Sequence, residues 1–544
     1  MTTLTLDRKD LEEHIGKIDS EKEEKITSMG TQVESVSERE VSVEITPNRP
    51  DLLSMQGFTR SFLQYTGKKG IESFKVNESD YSVRVDKSVK SVRPFTVCAV
   101  IKGLKFDDKK IKEIVDIQEK LHLTLGRKRK KIAIGIYPLE KIEFPIKFIA
   151  KKPSEILFRP LEFPKELTGA QILRQHPTGR DYAHLLDKAE VFPIFVDAKD
   201  RVLSMPPIIN SHETGKISEN TKDVFVECSG FNLYYLNKTM NILSSVFSDM
   251  GGKIYSVKII DSKPFVSPNL EPEKIEFKVE NINKTLGLNL TEKEIKNYLE
   301  RMGIGFEKPK DKCYALIPCY RVDVLHWIDL AEEVAVAYGF ENFNAEIPEI
   351  STIGEEDKMS VFKRAVSEIL AGLGLLEVSS YHLTTKDDVR KMHYEYNDFI
   401  EAEESKTEYN VLRMDLISNL LKVLSENSDS SYPQKIFENG RVFELDEKEE
   451  TGIKEKERLG IAICDEKANF TELKQVLDYL FKMLDKEYKI EECENNNFIS
   501  GRVGKIIVNE REIGVIGEIA PRVLKNWKIG YPVPALELNL SSLM

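Results

Sequence analysis

The chain has 544 residues, 41% of them hydrophobic and 31% charged, and carries a net charge of −12. That length exceeds what one hydrophobic core can hold and predicts about three to five domains. The acidic balance excludes a protein that wraps nucleic acid over most of its surface, so no DNA partner is expected and any RNA contact has to be local. No apolar run approaches the length that crosses a bilayer, and Met1–Lys9 lacks the apolar core of a signal peptide. A cytoplasmic protein with no membrane partner is the expectation. The cysteines (Cys98, Cys228, Cys313, Cys319, Cys464 and Cys493) are scattered without a Cys-x-x-Cys pair. Buried, reduced thiols are expected, rather than a zinc site or a disulfide scaffold.

Residues 1–85 read as strand, rigid turn and helix. Val41, Val43 and Ile45 alternate with polar residues, as in a half-buried strand. Pro47 and Pro50 stop it. Asp51 is the expected cap of a helix whose apolar stripe is Leu52, Met55, Phe58, Phe62 and Tyr65, ended by Gly67. Residues 86–265 are rich in short β-like runs, among them Phe95–Ile101, Lys131–Ile136, Phe192–Val196 and Val224–Glu227. Two polar, proline-stiffened loops interrupt them, His176–His184 and Ser204–Ser211. Such loops on a β scaffold carry binding residues or are plain turn chemistry. The run Arg127–Lys131 is the one dense basic stretch, either a solvated surface or a local RNA contact.

Residues 270–345 read as a small α+β module. A strand over Ile275–Val279 precedes a helix with a Thr291/Glu294 capping box, a strand Tyr314–Ile317 and a helix Ile328–Tyr338. Its length is that of a small winged-helix domain. Around its last helix lie Asp323, Asp329, Glu332 and Glu333. Asp329, Glu332 and Glu333 share a helix face, and Asp323 can fold back onto it. Carboxylates this close need neutralising, which Mg²⁺ would do; the alternative is acidic residues favoured at a helix N-terminus. Residues 350–544 predict helices at Val361–Leu373, Leu412–Leu424 and Leu473–Leu484. Strands are expected near Leu376–His382, a strand pair near Lys435–Leu445, and further strands at Ile506–Val508, Glu512–Ile516 and Ala535–Leu540. The order suits an antiparallel sheet with helices packed on it. No P-loop, dinucleotide fingerprint, Gly-x-Ser-x-Gly elbow or His-Glu-x-x-His is present.

The string Glu44–Ser54 resembles the N-terminal signature of phenylalanyl-tRNA synthetase β subunits, in the short form of archaea and the eukaryotic cytosol. Gly126–Ile136, His176–Leu186 and Ser204–Gly215 are similar to successive blocks of that family's central domain. Ile317–Asp323 with Asp329–Glu333 and Tyr338–Phe340 resemble its next domain, and Tyr432–Gly440 and Val515–Val523 its C-terminal module. The blocks follow the family's order along the whole chain.

The resemblance implies an α+β multidomain fold. Its parts are an N-terminal α/β domain (1–85), a β-rich tRNA-proofreading domain (86–265), a small winged-helix-like domain with the acidic cluster (270–345) and a class II synthetase-like antiparallel sheet that has lost its chemistry (350–544). It implies a catalytic α partner, two copies of each subunit, tRNA as ligand, ATP as substrate of the complex and Mg²⁺ as cofactor, held by Asp323, Asp329, Glu332 and Glu333. Ser211, Glu227 and Ser229 are the implied residues for clearing tyrosine attached by mistake. Many relatives carry aspartate and threonine where this chain has Glu227 and Ser229. The stretch Pro534–Leu540 contains no arginine to clamp ATP, and Phe437-Glu438 keeps only a trace of another class II motif. The length leaves no room for the extra oligonucleotide-fold and anticodon-binding modules of bacterial relatives. A free-standing aminoacyl-tRNA hydrolase and a non-catalytic RNA-binding scaffold are the alternatives.

Overall fold

A computed structural model of the chain describes every residue except 1, 348, 350, 351, 394 and 404. The expected start of the last segment, residue 350, lies outside the described residues. The fold is mixed α/β with several sheets, in two compact units, Met1–Glu346 and Ile347–Met544. Among the described residues no helix is long and apolar enough to cross a membrane.

The first unit opens on a sheet in which Glu40–Ile45 lies between Thr2–Asp7 and Gln32–Val36. Val41, Val43 and Ile45 are buried, as their alternation requires. The expected helix is Met55–Tyr65, but its cap is Ser54, whose hydroxyl accepts from the Gly57 N–H. Asp51 fails as the cap because it is buried in a two-pronged ion pair with Arg49, at 3.0 and 2.9 Å. A Cβ on Gly57 would lie 1.9 Å from the Asp51 carbonyl oxygen, so only glycine lets helix and turn approach this closely.

The next part of this unit is two facing sheets. Strands run in the order Val76–Asn77, Lys253–Tyr255, Phe95–Lys102, Val224–Gly230, Ile132–Pro138 in one. In the other the order is Ile209–Asn210, Val202–Met205, Phe192–Val196, Ile146–Lys151, Ser82–Val85, Val257–Ile260, Phe265–Ser267. Along Phe95–Lys102 the two alternating sets are both apolar. Cys98 and Val100 join Tyr137, Phe148, Phe195 and Phe225 in a core between the sheets. Val97, Ala99 and Ile101 pack instead with the helices Asp108–Leu123 and Leu233–Asp249. A strand covered on both faces loses the period-two pattern and becomes a continuous apolar run. Neither helix belongs to the β-like reading of residues 86–265. The His176–His184 stretch, read as a loop, contains the short helix Pro177–Asp181, with Pro177 at its first turn.

The last part of the first unit pairs Glu273–Phe277 and Gly305–Glu307 with Cys313–Ile317. The Thr291/Glu294 capping box is formed, and the final helix is Trp327–Tyr338.

The second unit is built on a seven-stranded sheet. Its order is Leu376–Glu377, Gln434–Leu445, Ile453–Cys464, Pro534–Asn539, Arg511–Ile519, Phe498–Val508, Lys489–Glu492. Residues 434–445 form one continuous strand rather than a strand pair; its partner is Ile453–Cys464. The strand expected over 376–382 pairs only at Leu376 and Glu377. The helices Lys358–Gly372 and Phe470–Met483 cover one core through Val366, Leu370, Leu473, Leu477 and Leu480, and Ile417–Glu426 packs in another. All six cysteines are unpaired, and all but Cys493 are buried.

Candidate functional site

A cavity of about 290 Å³ opens beside the edge strand Ile132–Pro138. Ile134, Ile136 and Ile208 supply apolar wall, and His122, Arg129, Ser204, Asn210 and Glu227 supply polar groups. Its volume is at the lower end of ligand sites, which run roughly 300–1,000 Å³, and suits one side chain rather than a whole nucleotide.

Glu227 is the buried carboxyl of the cavity lining. It sits mid-strand in Val224–Gly230, opposite Gly135 and Cys98, and is 1% exposed. The Tyr137 hydroxyl is hydrogen-bonded to Glu227 Oε1 at 3.2 Å and to Ser204 Oγ at 2.7 Å. Glu227 Oε2 is buried and makes no hydrogen bond. Burial pushes the carboxyl up to about 8, with Arg93 opposing. A lone charged carboxylate in low dielectric is costly, so near neutral pH the group is held largely as the neutral acid. Such an acid donates through its O–H and accepts through its carbonyl oxygen.

Ser229 lies two residues on, on the same strand face. Its hydroxyl accepts from Arg93 Nε at 3.1 Å, and its carbonyl accepts from Arg93 Nη2 at 2.7 Å. Ser229 holds Arg93, which burial keeps down at about 10, and its hydroxyl, like Arg93 and Tyr137, opposes the rise of the Glu227 carboxyl, but it lies outside the cavity wall. Ser211 is buried too. Its N–H donates to the Leu203 carbonyl at 2.7 Å and it bridges to Pro160, while its neighbour Asn210 reaches the cavity. Of the three residues singled out in the sequence, the structure brings only Glu227 to the cavity.

Arg93, His122, Arg129 and Tyr137 escaped the sequence reading. Nothing local marks Tyr137, one polar group inside an apolar β run, or Arg93, which lies in irregular chain just before the strand Phe95–Lys102. Arg129 had a signal in its basic run, but that run reads as surface. In the fold Arg129 turns inward. It donates to the Ile208 carbonyl at 2.9 Å and to Glu119 at 2.7 Å, and lies 4.5 Å over the Tyr182 ring. His122 accepts the Ile134 N–H at Nε2, 2.8 Å, and faces Glu119 through Nδ1, 3.2 Å. Burial holds it below the usual histidine range, so both nitrogens of the neutral ring are engaged.

The acidic quartet has a different arrangement from the one its spacing suggests. Arg321 is buried and binds Asp323 at 2.8 Å with two nitrogens, and Glu333 at 3.1 and 2.5 Å. Burial pulls the Asp323 carboxyl up, but Arg321 outweighs it and holds the group below its ordinary value. Asp329 accepts the Leu325 and His326 N–H groups, both at 2.8 Å, in a helix capping box. Glu332 points to solvent. The neutralising cation is thus an arginine of the chain itself. Among the described residues no group of three or more acidic, histidine or cysteine side chains is placed to hold a metal, and the quartet does not fit as a metal cage within this chain.

Asp329→Asn combined with Glu333→Gln is expected to lower stability by about 2–4 kcal/mol, because each replacement keeps an acceptor oxygen but loses the negative charge, at the helix start and beside the buried Arg321. Denaturant melts measure this, and added Mg²⁺ should leave the midpoint of the chain alone unmoved. A Mg²⁺-dependent rise in the wild type that the double variant lacks would restore the metal reading.

Three family models match in chain order. "B3/4 domain" covers residues 78–246, "tRNA synthetase B5 domain" 275–340, and "Phenylalanyl tRNA synthetase beta chain CLM domain" 344–540. The phenylalanine–tRNA ligase beta subunit of Pyrococcus abyssi is 40% identical over 501 residues, 91% of this chain and 90% of that protein. The Pyrococcus furiosus counterpart is 39% identical over the same shares. The crystal structure of an N-terminal fragment of the phenylalanyl-tRNA synthetase beta subunit from Pyrococcus horikoshii superposes with a TM-score of 0.60 at 33% identity, covering 62% of this chain and 99% of the fragment. The chain belongs to the family of phenylalanine–tRNA ligase beta subunits.

Proposed function

We propose that this chain supports ATP-dependent attachment of phenylalanine to its tRNA on a partner α subunit, in a complex of two α and two β, and that its own chemistry is hydrolysis of tyrosine mistakenly attached to that tRNA. Mg²⁺ is proposed to enter with ATP on the α subunit. The cytoplasm is the proposed place of action.

The observation that carries the editing reading is Glu227, a buried carboxyl pushed up to about 8, at the wall of a side-chain-sized cavity. Tyrosine differs from phenylalanine by one hydroxyl. An apolar synthetic pocket rejects that hydroxyl only about 10²-fold, whereas a site built to hydrogen-bond it rejects the analogue lacking it by about 10⁴–10⁵-fold. A neutral acid offering both a donor and an acceptor meets that requirement. In the hydrolysis, water forms a bond to the ester carbonyl carbon, the ester C–O bond breaks and the ribose oxygen takes the proton. His122 is fully engaged and Ser204 is hydrogen-bonded to Tyr137, which favours an oriented water over a serine–histidine nucleophile.

The test is deacylation of preformed Tyr-tRNA by the complex. Glu227→Ala is expected to lower the rate at least tenfold. Ser211→Ala, which lies off the cavity wall, is expected to stay within about twofold. Equal clearance of Tyr-tRNA and Phe-tRNA by the wild type would remove editing from this chain.

A further inference from the structure

The loop that carries Arg129 into the cavity has a second, outward face. It joins the helix Asp108–Leu123 to the strand Ile132–Pro138. Arg127, Lys128 and Arg129 have φ of 45°, 53° and 65°, three successive non-glycine residues in the left-handed region. Each costs roughly 1–2 kcal/mol on its own, and such residues ordinarily occur singly. The loop is held there by Gly126 N–H to Leu121 O at 2.8 Å, Arg129 N–H to His122 O at 3.1 Å and Lys131 N–H to Gly126 O at 2.8 Å. With Arg129 anchored inward, Arg127 and Lys131 are exposed and line a second cavity of about 530 Å³ with Phe231, Asn232 and Tyr235.

Those rings are unusual for a soluble surface. Phe231 is 52% exposed and Tyr235 46%, and Tyr234 lies edge-on to Tyr235. Their position follows from the strand register. Gly230 pairs with Ile132, so Phe231 emerges beside Lys131, at the end of the strand that carries Glu227. A Cβ on Gly230 would lie 2.3 Å from the Lys131 carbonyl oxygen, so glycine is what lets the two segments lie this close.

Resting on the editing reading, we propose that this basic, aromatic surface binds the single-stranded end of an RNA, so that its terminal ester enters the cavity behind Arg129. Exposed cations would neutralise phosphates, and exposed rings would stack bases without regard to sequence. Charge complementarity favours RNA. The chain as a whole is acidic at −12, yet its one dense basic run stands beside exposed aromatic rings. A protein partner is the alternative occupant.

The experiment uses the complex with its partner subunit. Binding of a fluorescent eight-nucleotide single-stranded RNA is measured by anisotropy at several salt concentrations, for wild type, Arg127→Glu/Lys131→Glu and Phe231→Ala/Tyr235→Ala. Lys482→Glu/Lys489→Glu, exposed residues of the second unit, is the charge-matched control. The charge pair should lower the salt slope by about 1.4, which is about 0.7 for each phosphate no longer neutralised. The ring pair should weaken binding at least fivefold, and the control should match wild type. Hydrolysis of a small tyrosyl ester by the wild type, which needs only the cavity, reads the editing chemistry separately from RNA binding. If the ester is not hydrolysed but the RNA results hold, editing fails and the RNA surface stands. RNA affinity and salt slope unchanged in both variants, or release of the partner subunit with RNA binding intact, overturns the proposal.

Discussion

Phenylalanine-dependent ATP–pyrophosphate exchange is expected to be absent from the purified chain alone and to emerge when the partner α subunit is added. Forming an adenylate requires preorganised positive charge on the triphosphate, and removing one such donor typically costs 10²–10³-fold in rate. The second unit does contain a cavity of about 660 Å³ over its sheet. Its cations are already committed. Arg458 donates to Glu537 and to Glu444, each at 2.6 Å, and Lys456 is bound to Glu444. Glu537 lies on the strand Pro534–Asn539 and also accepts the Leu416 N–H at 2.8 Å. Glu438 is buried and locked to Arg413 at 2.6 Å. Freeing Arg458 to meet a polyanion would leave the buried Glu537 carboxylate uncompensated, at a cost of about 3–5 kcal/mol. Robust exchange by the chain alone would show that this cavity retains ATP chemistry.

The sequence carried the elements whose burial is one-sided. The Glu40–Ile45 strand, the Thr291/Glu294 box and the amphipathic helix Phe470–Met483 each declare a solvent face and a core face. The helix Leu233–Asp249 did not, because Leu236 through Phe247 is almost entirely buried and its pattern merges with that of the flanking strands. The same reasoning explains the site. Glu227 came to notice only through the resemblance of the central blocks to their family. Its setting did not, since Tyr137, Ser204 and Arg93 come from distant positions and meet it only through sheet register and sheet stacking. The acidic quartet shows the converse. Spacing placed the carboxylates correctly near one helix, but the identity of their counter-charge depended on where the Arg321 side chain packs.

Glu227→Gln is expected to stabilise the site at pH 8 and to change little at pH 5. Below pH 4.5 the Glu227 carboxyl is protonated in both folded and unfolded chains. Between 4.5 and about 8 the unfolded chain releases its proton while the folded chain keeps it. The folded state then binds more protons than the unfolded, so stability falls as pH rises through this window. At about 1.4 kcal/mol for each pKa unit, the loss approaches roughly 4 kcal/mol by pH 8 as an upper bound. Glutamine keeps the shape and a donor, and has no proton to lose. Arg93, held at about 10, titrates outside the window. His122, held low by burial, acts in the opposite direction below its ordinary 6.5, but does so equally in wild type and variant, so their difference isolates Glu227. The measurement is hydrogen exchange of the Val224–Gly230 amides by mass spectrometry at pH 5 and pH 8, corrected for intrinsic exchange rates. Protection in the wild type should drop relative to Glu227→Gln as pH rises. Parallel pH profiles would mean that Glu227 is charged in the fold, with Arg93 as its counter-ion, and a neutral acid would no longer be available to recognise the tyrosine hydroxyl.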